Sequence, residues 1–559
     1  MPAYESFIDT DILIIGGGSA GCLSAIRAKE VDPSLDVTIF EKGDLMYSGC
    51  IARGMDALNI VAIPGFTTPE LYVEANTIAC DGVVDAPPSY VMAQRSYTLL
   101  RKLEAWGVYF PKKNGRYQTL KVHPKGEFLV TMKEPDLKVI IARKTYEMGC
   151  RVLNRTMGFR LLTEGDRIAG AVGYNLATGE MIICRAKAVI LCSGGLARFS
   201  LPTSGYLYGV YDFPNNTGDG WLMGYRAGAR LTGLEHTTCY CIIKDISAPL
   251  LYITLTRGAI VLNGFGQEIQ GGHISIKSLV QEYVEDRGPL FIRMRHLPEE
   301  KIREIEDILF STERPVMERF FQGRGINFRR SDIELFNTEH FLCSGHGMAW
   351  LLINEHGETS VQGLLAAGDV ACVAKGHLTG AFVFGEVTAE RAAEICRQGG
   401  RASPAQEHIE AARARLATIF AADGPISPHE FEYKVRRLIT NYLIPPKNET
   451  KLMLGLEWMA RFREELPRLV HVRDPHLASK ILELEAIIEV SALSAHASLA
   501  REESRWGFWH YRTDHPHKDD ERWLRHVVLS RGSDPTAPEL SFKTVDTLEA
   551  WQSGRERAP

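Results

Sequence analysis

Asp9-Thr10-Asp11-Ile12-Leu13-Ile14-Ile15-Gly16-Gly17-Gly18-Ser19-Ala20-Gly21 passes from an apolar run straight into glycines. The run reads as a parallel strand covered on both faces. Gly16, Gly18 and Gly21 stand in the spacing G-x-G-x-x-G, and Cys22–Ala28 continues with helical character. In that spacing the glycines serve a tight turn, close approach of backbone to a pyrophosphate, and close helix–strand contact. The helix start, with Ser19 and Ala20, points free N–H groups at phosphate. A glycine fingerprint alone is a weak signal, so the next strand carries the decision. Asp36–Phe40 is that strand, and it ends in Glu41. Glu41 lies about twenty residues past the last glycine, where a carboxylate accepts from a ribose 2′-hydroxyl. Glu41 and the adjoining Lys42 join the candidate cofactor set.

A chain of 559 residues exceeds what one core organises, so two or three domains are expected. A formal charge of -5 gives no general attraction for nucleic acid. The apolar runs are far shorter than the ~20 residues a membrane helix needs, so no membrane insertion is expected. Met1–Ser6 has no basic or apolar export signature, from which a cytoplasmic chain is expected. The eleven cysteines include no Cys-x-x-Cys pair, and only Cys239 and Cys241 lie close together. Reduced, mostly buried thiols are therefore expected, with no iron–sulfur cluster or other metal held by this chain. There is no internal repeat.

Three later segments argue for a flavin dinucleotide lying extended across the domain. Arg185–Cys192 is a buried strand ending in Ser193-Gly194-Gly195; Thr217-Gly218-Asp219-Gly220 opens a helix; Gly363–Ala367 runs into Gly368-Asp369, an acidic group placed for a ribityl hydroxyl. The order of these motifs resembles the flavoprotein subunits of succinate dehydrogenase, fumarate reductase and L-aspartate oxidase. The C-terminal Arg501–Arg505, Tyr511–Pro516, Asp519-Asp520 and Trp523 are similar to that family's terminal signature. The resemblance implies FAD, with substrate bound beside its ring under a capping domain. It adds Ser48, Gly49, Ala52, Gly54, Gly385 and Glu386 to the cofactor-binding set.

Departures from the family pattern matter as much. Where the family has Ser-His-Thr-x-x-Ala-x-Gly-Gly, this chain reads Ser48-Gly49-Cys50-Ile51-Ala52-Arg53-Gly54-Met55. With no histidine there, FAD is expected to be held without a covalent bond. In His377–Val383, Ala381 takes the place of the family's carboxylate-gripping arginine. The proton-delivering arginine segment corresponds to Ser275–Gln281, which has none. Succinate or fumarate thus becomes the alternative rather than the leading substrate. Ser48-Gly49 with Ala52-x-Gly54, Asp286–Leu290, Ala367-Gly368-Asp369 and Gly376-His377 look more like the adenylylsulfate reductase alpha-subunit branch.

The resemblance implies an FAD-dependent oxidoreductase subunit. It would pass electrons between an anionic small molecule and a ferredoxin-like iron–sulfur subunit. Arg257, His346 and His377 are the candidate catalytic residues, with fixed donors and a titrating imidazole suited to an anion gaining a proton. Tyr240 and Arg287 are weaker candidates. A flavin-binding scaffold or redox sensor without catalysis is the reading from another class. The expected fold is α/β: a Rossmann-like FAD-binding domain (1–234 and 343–400), an inserted α+β capping domain (235–342) and a C-terminal helical domain and tail (404–559). Helices are predicted over Ala405–Ala421, Pro428–Tyr442 and Pro475–Leu499. The charged tail carries little secondary-structure signal.

Overall fold

The computed structural model describes residues 4–556 apart from 56, 62, 204–205, 246–250, 270–275, 314–316, 372 and 535–536. At its centre five short strands run parallel, in the spatial order Leu364–Ala366, Ala188–Leu191, Ile12–Ile15, Val37–Phe40 and Arg151–Leu153. Ile12, Leu13 and Ile14 are fully buried, which is why the strand needs an unbroken apolar run. The helices Ser19–Val31 and His377–Gln398 pack against one another beside this sheet. A second, four-stranded sheet starts with Glu5–Asp9, parallel to Met181–Arg185, and continues antiparallel through Arg167–Asn175 and Thr156–Glu164.

The inserted segment has its own antiparallel sheet, ordered Cys241–Ile243, Ile333–Asn337, Leu290–Arg293 and Ile260–Leu262. Its apolar core, from Cys241 to Leu335, is separate from the main one. The helix over Glu299–Asp307 closes that core with Ile302 and Ile305.

C-terminal helices form at Gln406–Phe420, Pro428–Tyr442 and Pro475–Ala500. Pro428 is a sharp start because Ser427 and Glu430 form a reciprocal capping box. A further helix, Glu449–Leu469, begins where the Asn448 side chain accepts from Lys451 N–H; it is not among the helices expected from sequence. These helices share the apolar core of the parallel sheet. The tail also needs correction. Arg525–Arg531 and Pro538–Thr544 pair as an antiparallel ribbon, and Leu548–Glu556 is helical. The ribbon extends a sheet with Leu231–Thr232 and Trp350–Leu351, partners remote in sequence, so its order is tertiary in origin.

No helix among the described residues is long and apolar enough to cross a membrane. Their ten cysteines are free thiols, and all but Cys50 are buried.

Candidate functional site

A single cavity of about 890 Å³ runs from the first glycine turn to the inserted segment. At one end Gly16, Gly18, Ser19 and Ala20 line it. Gly16 has φ +101°, and a Cβ there would meet Cys192 O at 2.4 Å. A Cβ on Gly21 would lie 1.9 Å from Gly16 O, so Gly21 closes the turn onto the strand and does not face the cavity. A Cβ on Gly18, by contrast, meets nothing within 4 Å, and the following helix has no side-chain cap. Open space facing an uncapped helix start is a cradle shaped for an anionic group. Glu41 is held rigidly beside it: Oε2 accepts from Gly17 N–H at 2.7 Å, and Oε1 from Gly43 N–H at 2.6 Å and Ser48 Oγ at 2.7 Å.

The middle of the cavity is walled by Ser48, Gly49, Gly54, Ser193, Gly194, Gly368 and Asp369. Ser193 Oγ is buried with no partner among the described residues, a donor left for a bound group. Asp369 Oδ1 accepts from Gly345 N–H at 2.9 Å. Burial, together with the nearby Asp212 carboxylate, pushes Asp369 up to about 7. Lys42 and Asp219 line the wall as a pair at 2.5 Å, and Lys42 also reaches Glu483 at 3.3 Å. These features fit an extended dinucleotide.

Besides Gly21, four residues assigned to the cofactor set lie elsewhere. Ala52 is not among the lining residues. A Cβ on Gly195 would meet Leu342 O at 2.4 Å, so that glycine serves a strand crossing. Gly385 lets its helix approach Ala20 O, where a Cβ would stand 2.6 Å away. Glu386 pairs with Lys102 at 2.6 Å.

At the far end His346 and His377 meet, Nδ1 to Nδ1, at 3.2 Å. His377 is the first residue of the helix His377–Gln398, with φ +50°. Enclosure pushes both imidazoles below their ordinary value, and His377 furthest because His346 adds to the effect. Tyr240 donates its hydroxyl to His346 O at 3.3 Å, and Tyr211 packs against the rings of Tyr240 and His346. Arg257 is not brought here. Its guanidinium donates to Glu304 at 2.9 Å and to Ile253 O at 2.8 Å, and its neighbour Thr256 lines the cavity instead. Arg287 is likewise taken up by Glu282 and Glu285. Ala381 lines the cavity. Ser275 lies outside the described residues, as do the side chains of Ile276 and Lys277.

Sequence reasoning missed Tyr211, Asp212, Cys50 as a side chain, Arg53 and His123, all of which line the cavity. Cys50 and Arg53 stood in a motif, which forms the short helix Cys50–Arg53. The others come from loops with no periodic signal. Arg53 turns its guanidinium onto the carbonyls of Val210 and Tyr211.

A parallel sheet with a glycine-cradled helix start, opening into a cavity under an inserted lobe, defines a flavin-dependent oxidoreductase. The family description "FAD binding domain" matches residues 11–381, and "Fumarate reductase flavoprotein C-term" matches residues 432–557. The chain belongs to the FAD-binding succinate dehydrogenase/fumarate reductase flavoprotein family. One component of the fumarate reductase (CoM/CoB) of Methanothermobacter marburgensis is 26% identical, the match covering 94% of this chain and 98% of that one. L-aspartate oxidase of Streptomyces coelicolor is 23% identical over 98% and 95%. Among solved structures, adenylylsulfate reductase from Archaeoglobus fulgidus superposes with a TM-score of 0.86 at 24% identity, covering 98% and 97%. E. coli quinol fumarate reductase gives 0.80 at 20%, covering 97% of each. The cofactor is FAD, and the protein is an oxidoreductase.

Proposed function

We propose that this flavoprotein exchanges electrons between an anionic small molecule, of the sulfur-oxyanion or nucleotide-ester kind, and a separate ferredoxin-like iron–sulfur subunit. The His346–His377 contact is the observation that carries the reading. Of two neutral imidazoles joined through Nδ1 atoms, one donates and the other accepts. One Nε2 of the pair is then a donor and the other an acceptor. When the first Nε2 gives its proton to substrate, the contact hydrogen crosses the 3.2 Å gap to that ring's Nδ1 and the partner's Nε2 takes up a proton from outside the pair, so the two rings relay one proton and both end neutral. Tyr240 and Tyr211 pack against the His346 ring and hold it in place. FAD, when bound, supplies the two-electron chemistry. The cap of residues 235–342 would cover substrate.

The absence of an arginine at Ala381 speaks against a dicarboxylate grip. The structural likeness to adenylylsulfate reductase supports the same direction as a matter of fold. Full-length similarity to a fumarate reductase component favours the second reading, a dicarboxylate enzyme with relocated binding groups.

Assays with a reduced dye and either adenylylsulfate or fumarate separate the two. Turnover of fumarate alone would overturn the first. His346→Asn and His377→Asn should each lower kcat about 10²–10⁴-fold while flavin content stays unchanged. Full activity in both variants would remove the proton-delivery role.

A further inference from the structure

Asp212 makes no hydrogen bond to either histidine, although its charge partly offsets the effect of burial on His346. It is 5% exposed, lines the cavity, and its Oδ2 is buried with no partner among the described residues. Its other oxygen is fully engaged. Oδ1 accepts from Phe213 N–H at 2.9 Å and from the Cys50 thiol at 2.5 Å. Asn216 in turn donates to Cys50 Sγ at 3.7 Å. The carboxylate is therefore locked in one orientation, with one oxygen left over.

A buried carboxylate oxygen with no donor is costly and calls for a donor from a bound group. Cys50, Asp212 and Asp369 offer ligand atoms within 4.8 Å of one another, which a cation could occupy. The position argues otherwise. A Cβ on Gly49, beside Cys50, would stand 3.1 Å from Gly18 Cα, and Gly345, which donates to Asp369, accepts from His377 N–H. The cluster thus lies between the phosphate cradle and the histidines, where the dinucleotide would pass. A flavin dinucleotide carries donors in its ribityl hydroxyls and ring N3–H.

We infer that Asp212 accepts a hydrogen bond from the bound FAD and, by its negative charge, disfavours the two-electron-reduced cofactor, with Cys50 as the residue that positions it. Reduction adds electron density to the ring system, and a fixed carboxylate in a water-poor cavity opposes that. Cys50 softens the effect by sharing its proton with Oδ1. Removal of the thiol therefore strengthens the opposition, whereas removal of the carboxylate's charge abolishes it.

The test is a thermodynamic cycle on the full chain, needing no substrate. Dissociation constants for oxidised and reduced FAD are measured by flavin fluorescence, and the midpoint potential by equilibration with reference dyes. Asp212→Asn should favour reduced over oxidised FAD by about tenfold relative to the parent, a rise of ~30 mV for a two-electron couple. Cys50→Ala should shift the ratio the opposite way, and Cys50→Ser, which keeps a donor, should stay near the parent. The double variant D212N/C50A should match D212N. An unchanged potential in D212N, or an equal Cys50→Ala shift in both backgrounds, would overturn the inference. If D212N fails to fold, a Cys50→Ala potential equal to that of Cys50→Ser overturns it as well. A Cys50→Ala potential below that of Cys50→Ser supports it.

Discussion

Gly18 and Gly21 belong to one motif yet carry different loads. Gly21 has no room for a methyl group, since its Cβ would sit 1.9 Å from Gly16 O. Gly18 has open space in that direction, and the space is part of the cavity. Gly21→Ala should therefore lower the denaturation midpoint, by about 2 kcal/mol or more as an overpacked site, and lose flavin as a consequence. Gly18→Ala should leave the midpoint near the parent while weakening FAD binding about tenfold, or about 1.4 kcal/mol. Urea titration and flavin absorbance per polypeptide, measured on both variants, distinguish the two roles. Equal midpoints for the two would show that the turn tolerates what its geometry forbids.

At the scale of elements, the helix Pro475–Ala500 is tied to the cavity wall by buried charge. Glu483 Oε2 accepts from Arg198 at 2.7 Å and from Lys480 at 2.8 Å, and its Oε1 from Lys42 at 3.3 Å. Arg198 also makes a two-pronged contact with Glu432 on the helix Pro428–Tyr442, at 2.9 and 2.7 Å. Burial pushes the Glu483 carboxyl up, but Arg198, Lys42 and Lys480 together overcome this and hold it well below the usual range. Removal of one member leaves buried cations uncompensated, which costs about 3–5 kcal/mol. Glu483→Ala should lose that much by urea unfolding, and Lys42, freed from one partner, should transmit part of the loss to FAD affinity. A stability change under about 1 kcal/mol would mean that the network is solvated, as surface pairs are.

For the whole molecule, acid acts in two opposing directions. Burial pushes His340 down to about 3 and His123 to about 4. As pH falls below the unfolded value of about 6.5, the unfolded chain takes up protons that these native imidazoles refuse, so stability is lost. Burial pushes Glu339 up to about 7, against the backbone N–H of Tyr211 that it accepts from at 2.7 Å. The native state binds that proton first, so stability is gained as pH falls through about 7 toward the unfolded value near 4.3. The two histidines outweigh the one glutamate, so these groups together lose stability as pH falls, with components of opposite sign. On going from about pH 6.5 to 5, His340→Asn should gain about 2 kcal/mol relative to the parent, and Glu339→Gln should lose about 2 kcal/mol. Urea midpoints at the two pH values measure both, and shifts of the same sign would break the assignment.

Local chemistry was enough for the dinucleotide fold. An unbroken apolar strand, glycines at a turn that excludes Cβ atoms, and an acid after the second strand are constraints within about thirty residues, and the chain declares them openly. The same holds for the capped helices at Pro428 and Pro475, whose start signals are a few residues long. What faces the cavity was not declared. Arg257 stands in a promising stretch, yet Glu304, remote in sequence, takes its guanidinium. Tyr211, Asp212 and His123 come from aperiodic loops and reach the cavity only because the parallel sheet and the inserted lobe close around it. The tail ribbon exists because it adds to a sheet of distant partners. Backbone conformation answers to neighbours along the chain, whereas the pairing of buried charges and the lining of a cavity answer to neighbours in space.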